Sequence, residues 1–166
     1  MGVCRSCEIA ARIWTRSSTN CAIRSRIDLG SFVESLVYDY QDTGKDVTIG
    51  ENAGGAIVTR RNALRRVLTN LIDNAIKYGG GAAEVGVYRE REAVVISIMD
   101  RGPGIPEDKL EAVLQPFVRL EGSRNRETGG TGLGLAIAHQ LAAAIGGSLT
   151  LHNREGGGLA ADIRLG

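Results

Sequence analysis

The stretch RRNALRRVLTNLIDNAIKYGG, residues 60–80, carries an apolar stripe with the period of an α-helix. Its apolar residues recur every three or four positions: Leu64, Val67, Leu68, Leu71, Ile72, Ala75 and Ile76. The pattern predicts an amphipathic helix that starts at Thr59 and ends near Tyr78. Because such a helix buries its apolar face against another layer, the flanking sequence should supply that layer.

Strand patterns on both sides of this helix provide the second layer. Apolar residues predict a hairpin of strands over 83–90 and 93–100, joined by a tight polar turn. Further strands are predicted at 46–49, 148–153 and 159–166. We therefore expect an α/β fold, a two-layer sandwich of a mixed, mostly antiparallel five-stranded sheet and three main helices.

Other helices are predicted before and after the hairpin. One should be capped by Ser31, with Glu34 completing a capping box. A short helix is expected from Pro106 through Leu114, and a longer one over 132–145, with a polar loop over 116–131 between them. The apolar stripe of the first of these helices consists of Phe32, Val33, Leu36, Val37 and Tyr40.

Length and composition fit one globular domain. The chain has 166 residues, of which 43% are hydrophobic and 23% are charged, as in ordinary globular proteins. A net charge of +1 gives no indication of nucleic acid or of direct membrane contact. We expect the ordered domain to span residues 27–166. Residues 1–26 are rich in arginine and lack periodicity, which favours an irregular remnant of an upstream region over a transit peptide.

The three cysteines, Cys4, Cys7 and Cys21, all lie in that N-terminal segment. An odd number argues against a disulfide framework. Cys4 and Cys7 form a C-x-x-C pair, but a zinc site requires further ligands and the first histidine is His139. Reduced thiols are therefore favoured over a metal site.

Polar residues form a second row on the 60–80 helix. Asn70, Asn74 and Lys77 are spaced at i, i+4 and i+7, so their side chains stack along one side. Asparagine is a mediocre helix former, so two in one row need an explanation. Amide oxygens suit Mg²⁺, which takes few protein ligands plus substrate phosphates, and lysine suits phosphate. The row could hold a magnesium nucleotide; the alternative is a solvated polar face.

The segment DRGPGIP, residues 100–106, follows a strong strand. A carboxylate at Asp100 could accept a hydrogen bond from an exocyclic amine such as that of adenine. Gly102 and Gly104 would let the backbone turn against a flat ring, and Ile105 offers an apolar contact. The alternative is a turn that merely ends a strand.

The segment GGTGLGLAIA, residues 129–138, places glycines at a helix start, where free N–H groups suit phosphate. It lacks the lysine of a P-loop and the preceding strand of a dinucleotide fingerprint. The glycines are therefore interpreted as hinges of a mobile lid from about Pro116 to Gly130. Arg119, Arg124 and Arg126 on that lid could reach phosphates, although solvated loop charges are favoured for Arg124 and Arg126.

Taken together, these motifs resemble those of sensor histidine kinases. LTNLIDNAIKYGG resembles the N box, DRGPGIP the G1 box, PFVRL the F box and GGTGLGLAIA the G2 box of that family. The resemblance covers about residues 27–166. It implies the Bergerat-type ATP-binding fold, which the family shares with gyrase, the 90-kDa heat-shock chaperones and the mismatch-repair ATPases.

The resemblance also implies roles for individual residues. Asn74 would coordinate Mg²⁺, Asn70 would assist at the phosphates and Lys77 would contact phosphate. Tyr78 would pack near the adenine, and Asp100 would bind its amine. The remaining implied ATP-binding residues comprise the adenine loop, the lid base and the glycine-rich stretch: Gly102, Gly104, Ile105, Phe117, Arg119, Gly130, Thr131, Gly132, Leu133 and Gly134.

One position departs from the hydrolysing relatives. Those proteins resemble one another in placing a glutamate base four residues before the magnesium-binding asparagine, where this chain has Asn70. Asp73 is adjacent to Asn74 but projects about 100° away around the helix. The resemblance therefore argues against an autonomous ATPase, and no residue of the chain is assigned as catalytic.

Histidine is absent from residues 1–138, and His139 and His152 lie where surface or packing roles are expected. The resemblance then implies that the chain binds ATP or ADP and passes the γ-phosphate to a histidine on a separate dimerisation domain, in cis or in trans. A response regulator would act downstream, and the location would be cytoplasmic. The alternatives are a stand-alone nucleotide-binding module that sequesters a partner, as in anti-sigma relatives, or an inactive fragment.

Overall fold

A computed structural model of the chain describes residues 23–118 and 133–166. Within these residues, seven strands and three α-helices follow one another. Their bounds are β1 Ser25–Asp28, α1 Leu29–Asp42, β2 Asp46–Asn52, β3 Ala56–Thr59, α2 Arg61–Tyr78, β4 Ala82–Glu90, β5 Ala93–Met99, α3 Gly134–Ala144, β6 Gly147–Asn153 and β7 Leu159–Leu165. Two 3-10 turns, Glu107–Lys109 and Ala112–Leu114, lie between β5 and α3.

Five of the strands form one sheet, in the order β2-β4-β5-β7-β6. β2 pairs parallel with β4, whereas the other three neighbouring pairs are antiparallel. Residues of the sheet and of all three α-helices share one hydrophobic core. The predicted fold class, an α/β sandwich with a mixed, mostly antiparallel five-stranded sheet and three main helices, is confirmed.

The apolar stripe of α2 lies in this core. Six of its seven predicted members are at most 5% exposed, and Ile76 is partly buried. Burial of a leucine or isoleucine side chain contributes roughly 1.5–3 kcal/mol, so this stripe fixes the rotation of α2 against the sheet. The polar row on the same helix is then left on a different side, where it does not contribute to the core.

β1 and β3 form a separate two-stranded antiparallel ribbon that the sequence does not predict. Ser25 pairs with Thr59, and Asp28 pairs with Ala56. The prediction that α2 starts at Thr59 is therefore wrong, since Thr59 is paired in β3 and the helix begins at Arg61.

The predicted cap of α1 is also wrong. The cap is Asp28, whose Oδ1 accepts a hydrogen bond from the Ser31 amide at 2.8 Å. That bond lowers the pKa of the Asp28 carboxyl. Glu34 completes no capping box, because its Oε1 accepts from Asn52 Nδ2 at 3.0 Å. The cap lies three residues earlier than predicted because β1 leads directly into the helix.

The predicted helix from Pro106 through Leu114 is reduced to the two 3-10 turns. Pro106 has ψ 134° and is the extended N-cap of the first 3-10 turn rather than a helical residue. α3 ends at Ala144, close to its predicted end, but the predicted start at residue 132 lies outside the described residues. None of the helices in residues 23–118 and 133–166 is long and apolar enough to cross a membrane.

Candidate functional site

Asn70 and Asn74 lie one turn apart on α2, and both are half-buried. The Nδ2 atom of Asn70 is buried and has no hydrogen-bond partner within the part of the chain that the structure describes. An unpaired buried donor costs about 1–3 kcal/mol, and a fully solvated face would not leave it out of water. Asn70 therefore has an unused donor at the position where a ligand acceptor is expected.

The exposed residues Lys77 and Tyr78 form the C-terminal end of α2. The Lys77 ammonium lies 5.4 Å from the centroid of the Tyr78 ring, a cation–π contact. Lys77 is thus held at the helix end with its charge accessible to an anion.

The start of α3 lies against Asn74. Gly134 is the first residue of α3, and a Cβ added there would lie 3.2 Å from Asn74 Nδ2 and 3.5 Å from its Oδ1. Leu133, which precedes it, caps the helix without a side-chain hydrogen bond. The end of the glycine-rich stretch and the predicted magnesium ligand are therefore neighbours.

Asp100 follows the last residue of β5 and is 8% exposed. Its Oδ1 accepts hydrogen bonds from the amides of Gly102 at 2.9 Å and Leu159 at 3.1 Å. No donor among the described residues reaches Oδ2. One oxygen thus fixes the carboxylate, and the other keeps its capacity to accept a hydrogen bond.

The C-terminal end of α2 packs directly on the loop that follows Asp100. A Cβ at Gly79 would overlap the Asp100 side chain and the Ala75 carbonyl. A Cβ at Gly102 would lie 2.7 Å from Gly79 Cα and 2.9 Å from the Tyr78 carbonyl oxygen. Both glycines are therefore required for this close approach. It brings the segment 100–106 onto the helix that carries Asn70 and Asn74, the two residues called the amide row below.

The far end of this loop is held by Asn153, the last residue of β6. Gly104 has φ +72°, a left-handed conformation that suits glycine, and a Cβ there would lie 2.5 Å from Asn153 Oδ1. The half-buried Ile105 is hydrogen-bonded through its backbone to the same Asn153 side chain.

These contacts bring ten of the fifteen predicted ATP-binding residues onto three neighbouring segments or their immediate flanks, and Phe117 takes part in none of them. The four others lie outside the described residues, as do the loop arginines Arg124 and Arg126. Those four are Arg119, Gly130, Thr131 and Gly132.

Residues 59–165 match the family of histidine kinase-, DNA gyrase B- and HSP90-like ATPases. This chain belongs to that family. It is 42% identical over 137 residues to the sensor protein RstB of Escherichia coli strain K12, an alignment that covers 81% of this chain and 32% of RstB. It is 37% identical over 139 residues to the sensor histidine kinase GtrS of Pseudomonas aeruginosa, covering 84% of this chain and 28% of GtrS.

The fold is similar to the crystal structure of the ATP-binding domain of PrrB from Mycobacterium tuberculosis. The TM-score is 0.70 at 28% sequence identity, and the superposition covers 86% of this chain and 96% of that domain. The predicted family is thus confirmed: the chain is an ATP-binding catalytic domain of the histidine kinase type. It spans about a third or less of the length of these curated relatives.

For a histidine kinase-like ATPase, the groups beside the amide row bear on how the nucleotide reacts. The Tyr40 hydroxyl donates to Asp73 Oδ1 at 2.8 Å. Burial, together with this bond, raises the pKa of the Tyr40 phenol well above its ordinary value. Asp73 is therefore held against α1 rather than beside Asn74, in line with the predicted angular offset. Asn70 carries an amide, which does not act as a proton acceptor at neutral pH.

Phe117 lies near the end of the first described segment. Its φ is +64° and it is 75% exposed. In this ATPase family member, the anchoring of the lid base by Phe117 stays a prediction, because most of the lid lies outside the described residues.

Four contact residues of the site were not predicted from the sequence: Gly79, Asn153, Arg154 and Gly158. The two glycines had a local signal, since Gly79 follows the last residue of a helix and Gly158 ends the run GGG in a hairpin turn. Asn153 and Arg154 had none, because their partners lie about 50 residues earlier in the chain.

Proposed function

We propose that this chain binds Mg-ATP along α2 and transfers the γ-phosphate to a histidine on a separate dimerisation domain. The observation that supports this most is the convergence of motifs on one helix, with Gly134 against Asn74 and Gly79 against Asp100. Gly79 lies nine positions after Asn70, which corresponds to about 13–14 Å along a helix axis. An extended adenine nucleotide spans a comparable length, so its base and phosphates could lie at opposite ends.

The donor set fits magnesium bound together with phosphates. Across residues 23–118 and 133–166, no group of three or more His, Cys, Asp or Glu side chains could hold a metal ion. Mg²⁺ needs no such group, since it keeps waters and takes phosphate oxygens as ligands. The Asn74 amide oxygen would supply a protein ligand, and the unpartnered Asn70 Nδ2 could donate to a phosphate oxygen.

The contribution of the protein to phosphoryl transfer is positioning and charge neutralisation. Magnesium, when bound, offsets the charge on the β- and γ-phosphates. Asn70 and Lys77 would orient the phosphate chain, and Asp100 would fix the base. An imidazole nitrogen of the partner forms a bond to the γ-phosphorus while the bond to the bridging oxygen breaks and ADP leaves.

This chemistry explains an amide rather than a carboxylate at Asn70. Hydrolysis needs a base that removes a proton from water. A neutral imidazole attacks through its unprotonated nitrogen, so no base is required beside the γ-phosphate when that bond forms. The proposed partners are therefore a histidine-bearing domain and, after it, a response regulator, on the cytoplasmic side where ATP is supplied.

The function is tested by mixing the chain with a histidine-bearing helical hairpin of a sensor kinase and ATP labelled in the γ-phosphate. We expect acid-labile, alkali-stable label on the hairpin, and none on a hairpin whose histidine is replaced by glutamine. Calorimetric titration with Mg-ATP provides the binding measurement.

The outcomes separate the candidate functions. Heat of ATP binding without label on any hairpin would favour the regulatory module that sequesters a partner. Absence of binding at millimolar Mg-ATP, in a chain shown by circular dichroism to be folded, would contradict both and leave the inactive fragment.

A further inference from the structure

Asn153, the last residue of β6, and the turn that follows it are hydrogen-bonded to the loop that carries Asp100. The Ile105 amide donates to Asn153 Oδ1 at 2.9 Å, and Asn153 Nδ2 donates to the Ile105 carbonyl at 2.6 Å. One side-chain amide thus satisfies both backbone groups of Ile105, as a neighbouring strand would do. It fixes a residue that belongs to no strand or helix.

A second bond holds the other end of the loop. Arg154 Nη1 donates to the Asp100 carbonyl at 2.9 Å. Arg154 is itself fixed, because its amide donates to the Gly158 carbonyl at 2.9 Å and its carbonyl accepts from the Gly157 amide at 3.2 Å. The guanidinium therefore extends from a turn whose backbone is fixed by two hydrogen bonds.

The same turn reaches the Asp100 carboxylate. The Leu159 amide donates to Asp100 Oδ1, and the Asp100 amide donates to the Leu159 carbonyl at 2.9 Å. Gly158 approaches so closely that a Cβ there would overlap the Asp100 carbonyl. The direction of the unused Oδ2 is consequently set from the β6–β7 side as well as from the loop.

We propose that Asn153 and Arg154 are positioning residues for base recognition, which hold the segment from Asp100 to Ile105 in the shape that accepts an adenine. The proposal rests on the proposed ATP binding. A loop that is ordered before binding loses less conformational entropy on binding, which raises affinity and selectivity. Neither side chain is expected to contact the phosphates, so their effect should be confined to the base.

The test compares Asn153→Ala with Glu155→Ala, a matched control two residues later, whose exposed side chain makes no hydrogen bond or ion pair with the residues that the structure describes. Losing two hydrogen bonds of ordinary strength should weaken ADP and Mg-ATP binding about five- to thirtyfold and lower the ATP-over-GTP preference. The ratio of ATP affinities with and without magnesium should not change, because the phosphate end is untouched. Glu155→Ala should match the wild type.

Local readouts separate positioning from a loss of folding. In the wild type the Ile105 amide should exchange slowly, and in Asn153→Ala it should exchange fast while core amides of β5 stay protected. Asn153→Asp keeps the acceptor for the Ile105 amide but places a carboxylate oxygen against the Ile105 carbonyl. It should therefore weaken nucleotide binding as much as Asn153→Ala does, although the side chain keeps its size. Arg154→Lys should restore binding that Arg154→Ala loses, because an ammonium can still donate to the Asp100 carbonyl.

A double-mutant cycle tests whether Asn153 influences base recognition through Asp100. If Asn153 acts through Asp100, Asn153→Ala should not alter the ATP-to-GTP ratio further once Asp100→Asn is present. Wild-type binding with an unchanged ratio in both Asn153 variants would overturn the positioning role alone. Failure of the folded wild type to bind any adenine nucleotide would overturn this inference together with the proposed function.

Discussion

The two ends of the proposed nucleotide site, the base end at Asp100 and the phosphate end at Asn70, differ in how completely they are hydrogen-bonded before a ligand binds. At the base end, Asp100 accepts three hydrogen bonds through Oδ1 and its carbonyl, and Ile105 has both backbone groups paired with Asn153. At the phosphate end, no group in residues 23–118 and 133–166 pairs with the buried Asn70 Nδ2 or caps α3 at Gly134 with a side-chain hydrogen bond.

The difference matches what each end would recognise in the proposed nucleotide complex. A purine ring is flat and rigid, so a loop already fixed in one shape recognises it at the lowest entropic cost. Phosphates and a magnesium ion bring their own charges and ligand atoms, so protein groups that face them acquire partners only in the complex. In the proposed complex, the fixed loop at Asp100 and the unsatisfied group at Asn70 would therefore be complementary halves of one site.

Replacing Asp100 by asparagine should give the largest effect. It changes the group that would accept a hydrogen bond from the base, and it should not unfold the protein. Asparagine keeps an oxygen for the two backbone amides but turns a donor toward the adenine amine, which is also a donor. We expect the ATP-over-GTP preference to fall about ten- to a hundredfold, since a charged hydrogen bond contributes roughly 1.5–3 kcal/mol.

Competition of ATP and GTP against a fluorescent nucleotide measures that ratio. The melting temperature serves as the control for folding. An unchanged ratio in a folded variant would contradict the assignment of Asp100 to the base.

Replacing Asn74 by alanine tests the phosphate end of the proposed site. We expect Mg-ATP affinity to fall about tenfold or more, whereas affinity for ATP without magnesium should change little, because the lost amide oxygen is a metal ligand. Calorimetric titrations with magnesium and with a chelator give the two values. Arg66→Ala, an exposed change on the same helix, is the matched control, and equal losses in both conditions would argue against metal coordination.

Replacing Gly134 by alanine should sharpen the comparison with a smaller effect. The added methyl would lie 3.2 Å from Asn74 Nδ2, so the amide must shift by a few tenths of an ångström. We expect Mg-ATP affinity to fall about two- to fivefold, while thermal stability stays equal or rises because alanine favours helices over glycine. Lower stability with unchanged affinity would indicate a packing role only.

The smallest effect on binding is expected for Tyr40→Phe, behind the amide row. Removing the bond to Asp73 should lower the free energy of unfolding by about 0.5–1 kcal/mol and leave nucleotide affinity unchanged. The folded state raises the pKa of Tyr40 above its ordinary value of 10.0, so it favours the neutral phenol.

That stabilisation is complete below the unfolded pKa and is lost as the pH rises past it. Urea unfolding from about pH 8 to about pH 11 should therefore show a steeper alkaline loss in the wild type than in Tyr40→Phe. Parallel pH profiles would contradict a linked titration at this residue.

Local patterns in the sequence were enough for most of the architecture. The three- and four-residue spacing of apolar side chains predicts α2, and the strand runs predict the hairpin, because a helix or strand is detectable within a short window. The amide row and Asp100 were found in the same way, since an asparagine pair inside a helix and a carboxylate at a strand end are unusual locally. The order and spacing of these motifs also indicated the protein family.

Pairing between distant segments was decided only by the folded chain. The ribbon of β1 and β3 took Thr59 out of the predicted helix and placed the cap of α1 at Asp28. The bonds of Asn153 and Arg154 to the adenine loop join residues about 50 positions apart. Sequence spacing cannot reveal such contacts, because they depend on which strands become neighbours and in what register, and that is set by burial of the whole core at once.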